Sequence, residues 1–157
     1  MLNKKRQTAL HVASSSGHVA CAHLLAQHGV DVEARDVDEN TALHLAAYDG
    51  HIDIVKALLD THHAAINTAN IDHTTALAAL QYAAYQGNTD VVRLLTSYSG
   101  CDVSAEDDDG DTAADIARIQ GHEDIAAHLT SRVLVVYCQV ATRHCTRALK
   151  NDALCVG

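Results

Sequence analysis

The stretch that decides the fold reads DVDENTALHLAAYDGHIDIVKALLD and runs from Asp36 to Asp60. Its polar start is followed by Thr41, whose hydroxyl is suited to cap the first turn of a helix. Gly50 interrupts the helical pattern, because glycine tolerates the left-handed backbone at which helices end. A second helix is then predicted from apolar residues at helical spacing, namely Ile54, Val55, Leu58 and Leu59. Helices this short are marginal alone in water, so the unit needs neighbours.

The same pattern recurs along the chain. TALHVASSSGH at Thr8–His18 precedes TALHLAAYDGH at Thr41–His51 by 33 residues, and TAADIARIQGH at Thr112–His122 ends the series. This pattern resembles the ankyrin repeat, a unit of about 33 residues with a β-turn and two helices that carries T-P-L-H-x-A. The resemblance implies an all-α fold, an ankyrin-repeat solenoid of stacked helix-turn-helix units joined by β-turn fingers.

The resemblance divides the chain into a repeat domain, 1–132, and a C-terminal extension, 133–157. Four repeats are predicted at 3–35, 36–69, 70–106 and 107–132. Polar residues dot the second helix of the last repeat, which suits a terminal repeat whose outer face meets water. For the extension the sequence leaves three alternatives open: a β-strand, a helix laid over the last repeat, or a disordered segment.

The third repeat departs from the others. Its start is taken at Thr75-Ala76-Leu77, and three extra residues, Ala78-Ala79-Leu80, then precede Gln81. Because three residues are nearly one helical turn, we expect either a longer first helix or a bulged finger. Gln81 replaces the motif histidine, and Tyr82 is expected to take the next position, which faces the core.

The finger tips lack the glycine that the family usually places there. Only Gly110 remains, whereas Arg6, Glu39 and His73 stand at the other tips. If these tips need positive φ, each substitution costs about 1 kcal/mol.

Composition excludes several function classes. The chain has no Phe or Trp and a formal net charge of -9, which argues against nonspecific binding to nucleic acid or to anionic membranes. No run of 18 apolar residues predicts a membrane span. Five cysteines, an odd number, fit a reducing compartment. We therefore expect a monomeric, cytoplasmic or nuclear protein with neither nucleic acid nor membrane as a partner. Cys21 and Cys101 are expected in the core.

Twelve histidines raise the question of a metal site. Five of them occupy positions of the repeat motif, where the resemblance implies a structural role: His11, His18, His44, His51 and His122. An adventitious zinc or nickel site remains an alternative where His62-His63 stack on the turn that holds His28. No ligand spacing supports a dedicated site, so neither metal nor cofactor is predicted.

The acidic run from Glu106 to Asp111 has the look of a calcium-binding loop. Counted from Asp107, however, the twelfth position is Arg118 and not the glutamate that such a loop needs. A solvated acidic turn is the expected structure. No catalytic motif is present either, and the chain is predicted not to be an enzyme.

A stripe of residues lies two positions before each helix-ending glycine, and it consists of Ser15, Tyr48, Tyr85 and Ile119. The resemblance implies that this stripe and the finger tips line a groove. Tyrosine is enriched at binding hot spots, although these tyrosines also fit a tolerated surface position. The predicted partner-binding residues are Lys5, Gln7, Val37, Asp38, Asn40, Tyr48, Asp49, Ile71, Asp72, Tyr85, Gln86, Asp108 and Asp111.

The resemblance implies a protein-protein interaction module, an adaptor or scaffold that binds a protein partner through its groove. Two alternatives stay open: a regulatory ankyrin segment of a larger enzyme, and a purely structural spacer. Charge is expected to differ between the groove ends, with Lys4, Lys5 and Arg6 at one end and the acidic run at the other. A partner segment should then lie with its basic portion toward Asp107–Asp111.

Overall fold

The computed structural model describes residues 3–68 and 78–135 as a series of short paired helices. The helices are α1 (Ala9–Ser15), α2 (Val19–Gln27), α3 (Ala42–Tyr48), α4 (Ile52–Asp60), α5 (Ala79–Gln86), α6 (Thr89–Ser97), α7 (Ala113–Ile119) and α8 (123–135). No β-strand occurs within these residues. Glu106 and Thr112 form an isolated antiparallel bridge.

The first helices of the first, second and fourth repeats begin with a reciprocal cap. Thr41 is the N-cap of α3, as the sequence predicts, and its backbone N–H donates to Nδ1 of His44 at 3.0 Å. In α7 the same backbone bond runs from Thr112 to the Asp115 carboxylate at 3.2 Å. Each cap satisfies donors that the first turn of a helix would otherwise leave unpaired.

The third repeat has a different register from the one predicted. Helix α5 begins after Ala78, whose N–H donates to Oε1 of Gln81 at 2.8 Å, so the motif is Ala78-Ala79-Leu80-Gln81 and not Thr75-Ala76-Leu77. The expectation of an added N-terminal helical turn is wrong, because α5 has 8 residues against 7 in α1, α3 and α7. The bulged-finger alternative falls on residues 69–77, outside the described residues.

The core consists of two layers. The first helices pack through alanines, and Ala46, Ala83 and Ala84 are each 0% exposed. Larger side chains fill the second layer, where α4 buries Ile54 and Leu58. Residues 133–135, the start of the predicted extension, continue α8, and Val133 packs against the core. The rest of that extension lies outside the described residues.

Candidate functional site

The described fingers share one backbone design. In the second finger, Oδ1 of Asp36 accepts N–H bonds from Asp38 at 3.0 Å and from Asn40 at 2.9 Å. Asn3 and Asp107 make the equivalent bonds in the first and fourth fingers. The tips adopt positive φ at Arg6 (56°), Glu39 (60°) and Gly110 (83°), which meets the condition for a cost at the substituted tips, while His73 lies outside the described residues. The backbone is therefore strained at Arg6 and Glu39, because residues with a Cβ disfavour positive φ.

Hydrogen bonds tie the fingers to one another and to the first helices. The N–H of Val37 donates to the carbonyl of Lys5 at 3.0 Å, which joins the first two fingers. Between the first helix of the third repeat and the fourth finger, Nε2 of Gln81 donates to the carbonyl of Asp111 at 3.3 Å. The finger row is thus fixed relative to the helix row beside it, which gives the surface between them a defined shape.

His44 shows how burial sets the chemistry of these links. Its Nδ1 accepts the Thr41 N–H, so the proton lies on Nε2, which donates to the carbonyl of Thr68 at 2.6 Å. Burial lowers the pKa of His44 to about 4, and the bond to Thr68 opposes this shift. The imidazole is therefore neutral near pH 7 and acts as a structural clamp.

Three aromatic rings meet where α3 and α5 pack together. The Tyr82 ring meets Tyr48 edge to face at a centroid distance of 5.7 Å, and it lies 5.8 Å from the His44 ring. The Tyr82 hydroxyl donates to Oδ1 of Asn40 at 3.0 Å. Tyr82 is half-buried, not a core residue as expected, because its hydroxyl reaches the finger.

A groove pocket of about 240 Å³ lies between the fourth finger and the first helices. The helices contribute Tyr85, Ile116, Ile119 and Gln120, and the finger contributes Asp107, Asp109 and Asp111. One wall is therefore apolar and aromatic, and the other is acidic. An exposed apolar surface with a charged rim is typical of interaction sites.

The predicted binding residues fall into four groups. Tyr85 is exposed, together with Lys5, Val37, Asp38, Asp49, Gln86 and Asp108. Gln7, Tyr48 and Asp111 are half-buried. Asn40 is 8% exposed and lies under the Tyr82 hydroxyl, so it positions that ring instead of offering an open surface. Ile71 and Asp72 lie outside the described residues.

The structure brings Tyr85 and Asp111 together in the pocket, beside Asp107 and Asp109 of the predicted acidic end. The sequence interpretation left out Ile116 and Gln120 of the pocket, and Tyr82 of the groove beside it. A signal for Tyr82 was present, because it precedes Tyr85 by three residues and so shares its helix face. The expectation that Tyr82 faces the core kept it out of the predicted groove.

Other expectations for reactive groups need correction. Cys21 is exposed and does not lie in the core, whereas Cys101 is half-buried and burial raises its pKa to about 11. The stacked turn brings Nε2 of His62 to 3.3 Å from Nδ1 of His23, not to His28. Within residues 3–68 and 78–135, no group of three or more metal-ligating side chains is placed to hold a metal ion. None of the described helices is long and apolar enough to cross a bilayer.

Comparison with known proteins agrees with this architecture. The profile of the family "Ankyrin repeats (3 copies)" matches residues 1–70 and 66–139. The potassium channel AKT2/3 of Arabidopsis thaliana is 35% identical over 87% of this chain and 16% of the channel. The mitochondrial liver isoform of glutaminase from Rattus norvegicus is 42% identical over 38% of this chain and 10% of that protein.

A shorter relative matches as well. Protein phosphatase 1 regulatory subunit 27 of Homo sapiens is 43% identical over 32% of this chain and 33% of the subunit. The matched region is thus a minor part of each relative. The paired helices, the reciprocal caps and the profile match over most of the sequence agree, and the chain belongs to the ankyrin repeat family.

Proposed function

We propose that this chain binds a partner protein through the groove between its fingers and its first helices. The observation that carries the proposal is the row of tyrosines along this surface. Tyr48 and Tyr82 form an edge-to-face pair, and Tyr85 follows on the same helix at 42% exposed. Aromatic side chains with apolar faces and polar tips are the commonest anchors of protein interfaces.

The groove is also suited to binding because it is already ordered. The backbones of the three described fingers are held by their own Asx-type bonds, and a backbone bond joins the first finger to the second. A rigid surface loses little conformational entropy when a partner docks on it.

The test is a capture experiment with the full chain as bait. Tyr48→Ala combined with Tyr85→Ala should remove captured proteins, since loss of two anchors weakens binding by about 2 kcal/mol or more each. Leu24→Ala is the control, because Leu24 is an exposed apolar residue (54%) on α2, away from the groove. Partners retained by the double variant as well as by the control would show that the tyrosines do not form the site.

A second candidate is a regulatory segment within a larger polypeptide. The match to the potassium channel favours it, because 87% of this chain aligns with only 16% of that protein. An antibody raised against residues 36–60 tests it by immunoblot of native extract. A band near 16.7 kDa would support an adaptor that acts alone, and a much heavier band would support the segment.

A further inference from the structure

The pocket at the C-terminal end of the groove combines two unlike surfaces. Its apolar side holds the Tyr85 ring and two isoleucines, of which Ile119 is 67% exposed and Ile116 is 7% exposed. Its acidic side holds Asp107, Asp109 and Asp111. An occupant that fills the pocket must satisfy both surfaces at once.

The acidic side has no cationic partner in the described residues. Both ion pairs found there lie elsewhere, at Arg35–Glu39 and Arg118–Asp115. The Asp107 carboxylate accepts backbone N–H bonds from its own finger, which leaves its negative charge in place. Within the described residues the pocket therefore carries negative charge that no cation compensates.

A metal ion is a poor fit for this charge. Within the described residues no three carboxylate, imidazole or thiolate groups converge as metal ligands. The carboxylates instead lie along one edge of a pocket whose remaining lining is mostly apolar. This arrangement suits a cation that has an apolar stem and several hydrogen-bond donors.

An arginine side chain has those properties. Its methylene stem can pack on Ile116 and Ile119, while its planar guanidinium donates to carboxylates in a fixed fork. The same plane can stack on the Tyr85 ring, which adds a cation–π attraction. Lysine offers the stem and the charge but neither the fork nor the plane.

We propose that this pocket receives an arginine side chain of a partner segment, flanked by apolar residues. The inference rests on the proposed function, because it names the partner chemistry at one end of the same groove. Charge complementarity and the apolar wall carry it together. The basic part of the bound segment then lies against the fourth finger.

The experiment uses isotope-labelled full chain and two short peptides, acetyl-Leu-Arg-Leu-amide and its citrulline counterpart. Citrulline keeps the shape of arginine but lacks its charge. The arginine peptide should shift the backbone NMR signals of residues 107–120 and bind roughly tenfold more tightly than the citrulline peptide. Equal affinities for the two peptides would overturn the proposal, as would shifts confined to other repeats.

A matched pair of variants separates local from general electrostatics. Asp109→Asn with Asp111→Asn removes two pocket charges and leaves Asp107 to hold the finger. Asp53→Asn with Asp90→Asn removes two charges from the first turns of α4 and α6. Only the first pair should reduce the preference for arginine over citrulline to less than about twofold. Equal losses in both pairs would show that only the overall charge acts, which contradicts the pocket.

Sedimentation of the unliganded chain tests a different occupant. Association that grows with concentration and that Asp109→Asn with Asp111→Asn abolishes would place a second copy in the groove and overturn the proposal. Failure here is distinct from failure of the proposed function. Tyrosine-dependent capture without an arginine preference would overturn this inference alone, whereas loss of tyrosine dependence would overturn the groove itself.

Discussion

Helices α2 and α4 occupy the same place in successive repeats and have 9 residues each, yet they are buried very differently. Four residues of α4 are buried, namely Ile54, Val55, Leu58 and Leu59, whereas α2 buries only Ala22. The difference follows from position, because α4 packs against both α2 and α6 while α2 packs against α4 alone in its layer. In a stacked array, a residue's burial depends on its neighbours as much as on its motif.

The first helices of these two repeats differ in the polarity of one buried side chain. Ser14 of α1 and Ala47 of α3 occupy equivalent, fully buried positions. The Ser14 hydroxyl has no hydrogen-bond partner within the described residues. Within the described residues, the first repeat thus tolerates an uncompensated polar group where the second and third repeats have alanine.

The largest effect should come from matched leucine truncations in the two second helices. Leu58→Ala should lower the free energy of unfolding by about 2–5 kcal/mol, because Leu58 is 1% exposed and its loss leaves a cavity. Leu25→Ala, at the equivalent position of α2, should lower it by only about 1–2 kcal/mol, because this side chain is half-buried against the core. Urea denaturation of both variants measures the difference, and similar losses would contradict the contrast between α2 and α4.

Acid should destabilise the interior of the array through His44. Its pKa is about 4 when folded against 6.5 for an ordinary histidine, so the unfolded chain binds more protons between those values. Its contribution is fully present above pH 6.5 and is lost as pH falls toward 4, by a few kcal/mol at most.

The third repeat supplies the matched variant for this test. Gln81 donates and accepts at the position equivalent to His44 without titrating. His44→Gln should therefore keep the fold and flatten the pH dependence, as measured by urea denaturation from pH 4 to 7. The pKa values of His62 and His128 are also lowered, so the difference from the unaltered chain is the relevant quantity. An unchanged slope would refute the role of His44.

Alanine substitutions at two turn glycines compare the cost of backbone strain with the cost of steric crowding. Gly121 has a φ of +83°, and no described atom lies within 4 Å of the Cβ that alanine would add. Gly121→Ala should therefore cost about 1 kcal/mol, from backbone strain only. Gly87 has a φ of +79°, and its Cβ would lie 2.6 Å from the His122 ring of the next repeat. Gly87→Ala should therefore cost about 1 kcal/mol more, because that ring must move. Equal shifts in thermal midpoint would show that the close approach has no energetic weight.

The smallest effect is a gain. Ser14→Ala should raise the free energy of unfolding by about 1 kcal/mol, since it removes a buried hydroxyl that has no partner among the described residues. Ala47→Ser is the reciprocal change and should lower it, because it buries a hydroxyl at the equivalent interior position. Calorimetry measures both, and a loss of stability in Ser14→Ala would indicate a partner for this hydroxyl.

The sequence predicted the helix pairs well but misplaced one of them. Thr8, Thr41 and Thr112 each cap a first helix, as their motif predicts. In the third repeat the Thr75 motif predicts a helix start that is three residues too early. The helix begins after Ala78, which has no capping side chain. Gln81 decides the register there, because its amide reaches the carbonyls of Ala105 and Asp111, which are far away in sequence.

The candidate groove was predicted in part for a similar reason. The position of Tyr48 and Tyr85 two residues before the helix-ending glycines, together with the family resemblance, predicted a stripe along the groove. The hydrogen bond from the Tyr82 hydroxyl to Asn40 joins the third repeat to the second, so no local sequence pattern predicts it. The apolar wall of the arginine pocket likewise needs α5 and α7 side by side.

The sequence by itself determined the repeat, its short helices and the positive-φ finger tips, because caps, glycines and apolar spacing act within a few residues. Tertiary structure alone decided which helix is enclosed, which histidine is neutral and where acidic and apolar surfaces meet. Those properties depend on desolvation and on contacts between neighbouring repeats. Identical motifs at Thr8 and Thr41 are therefore followed by second helices of very different burial, α2 and α4.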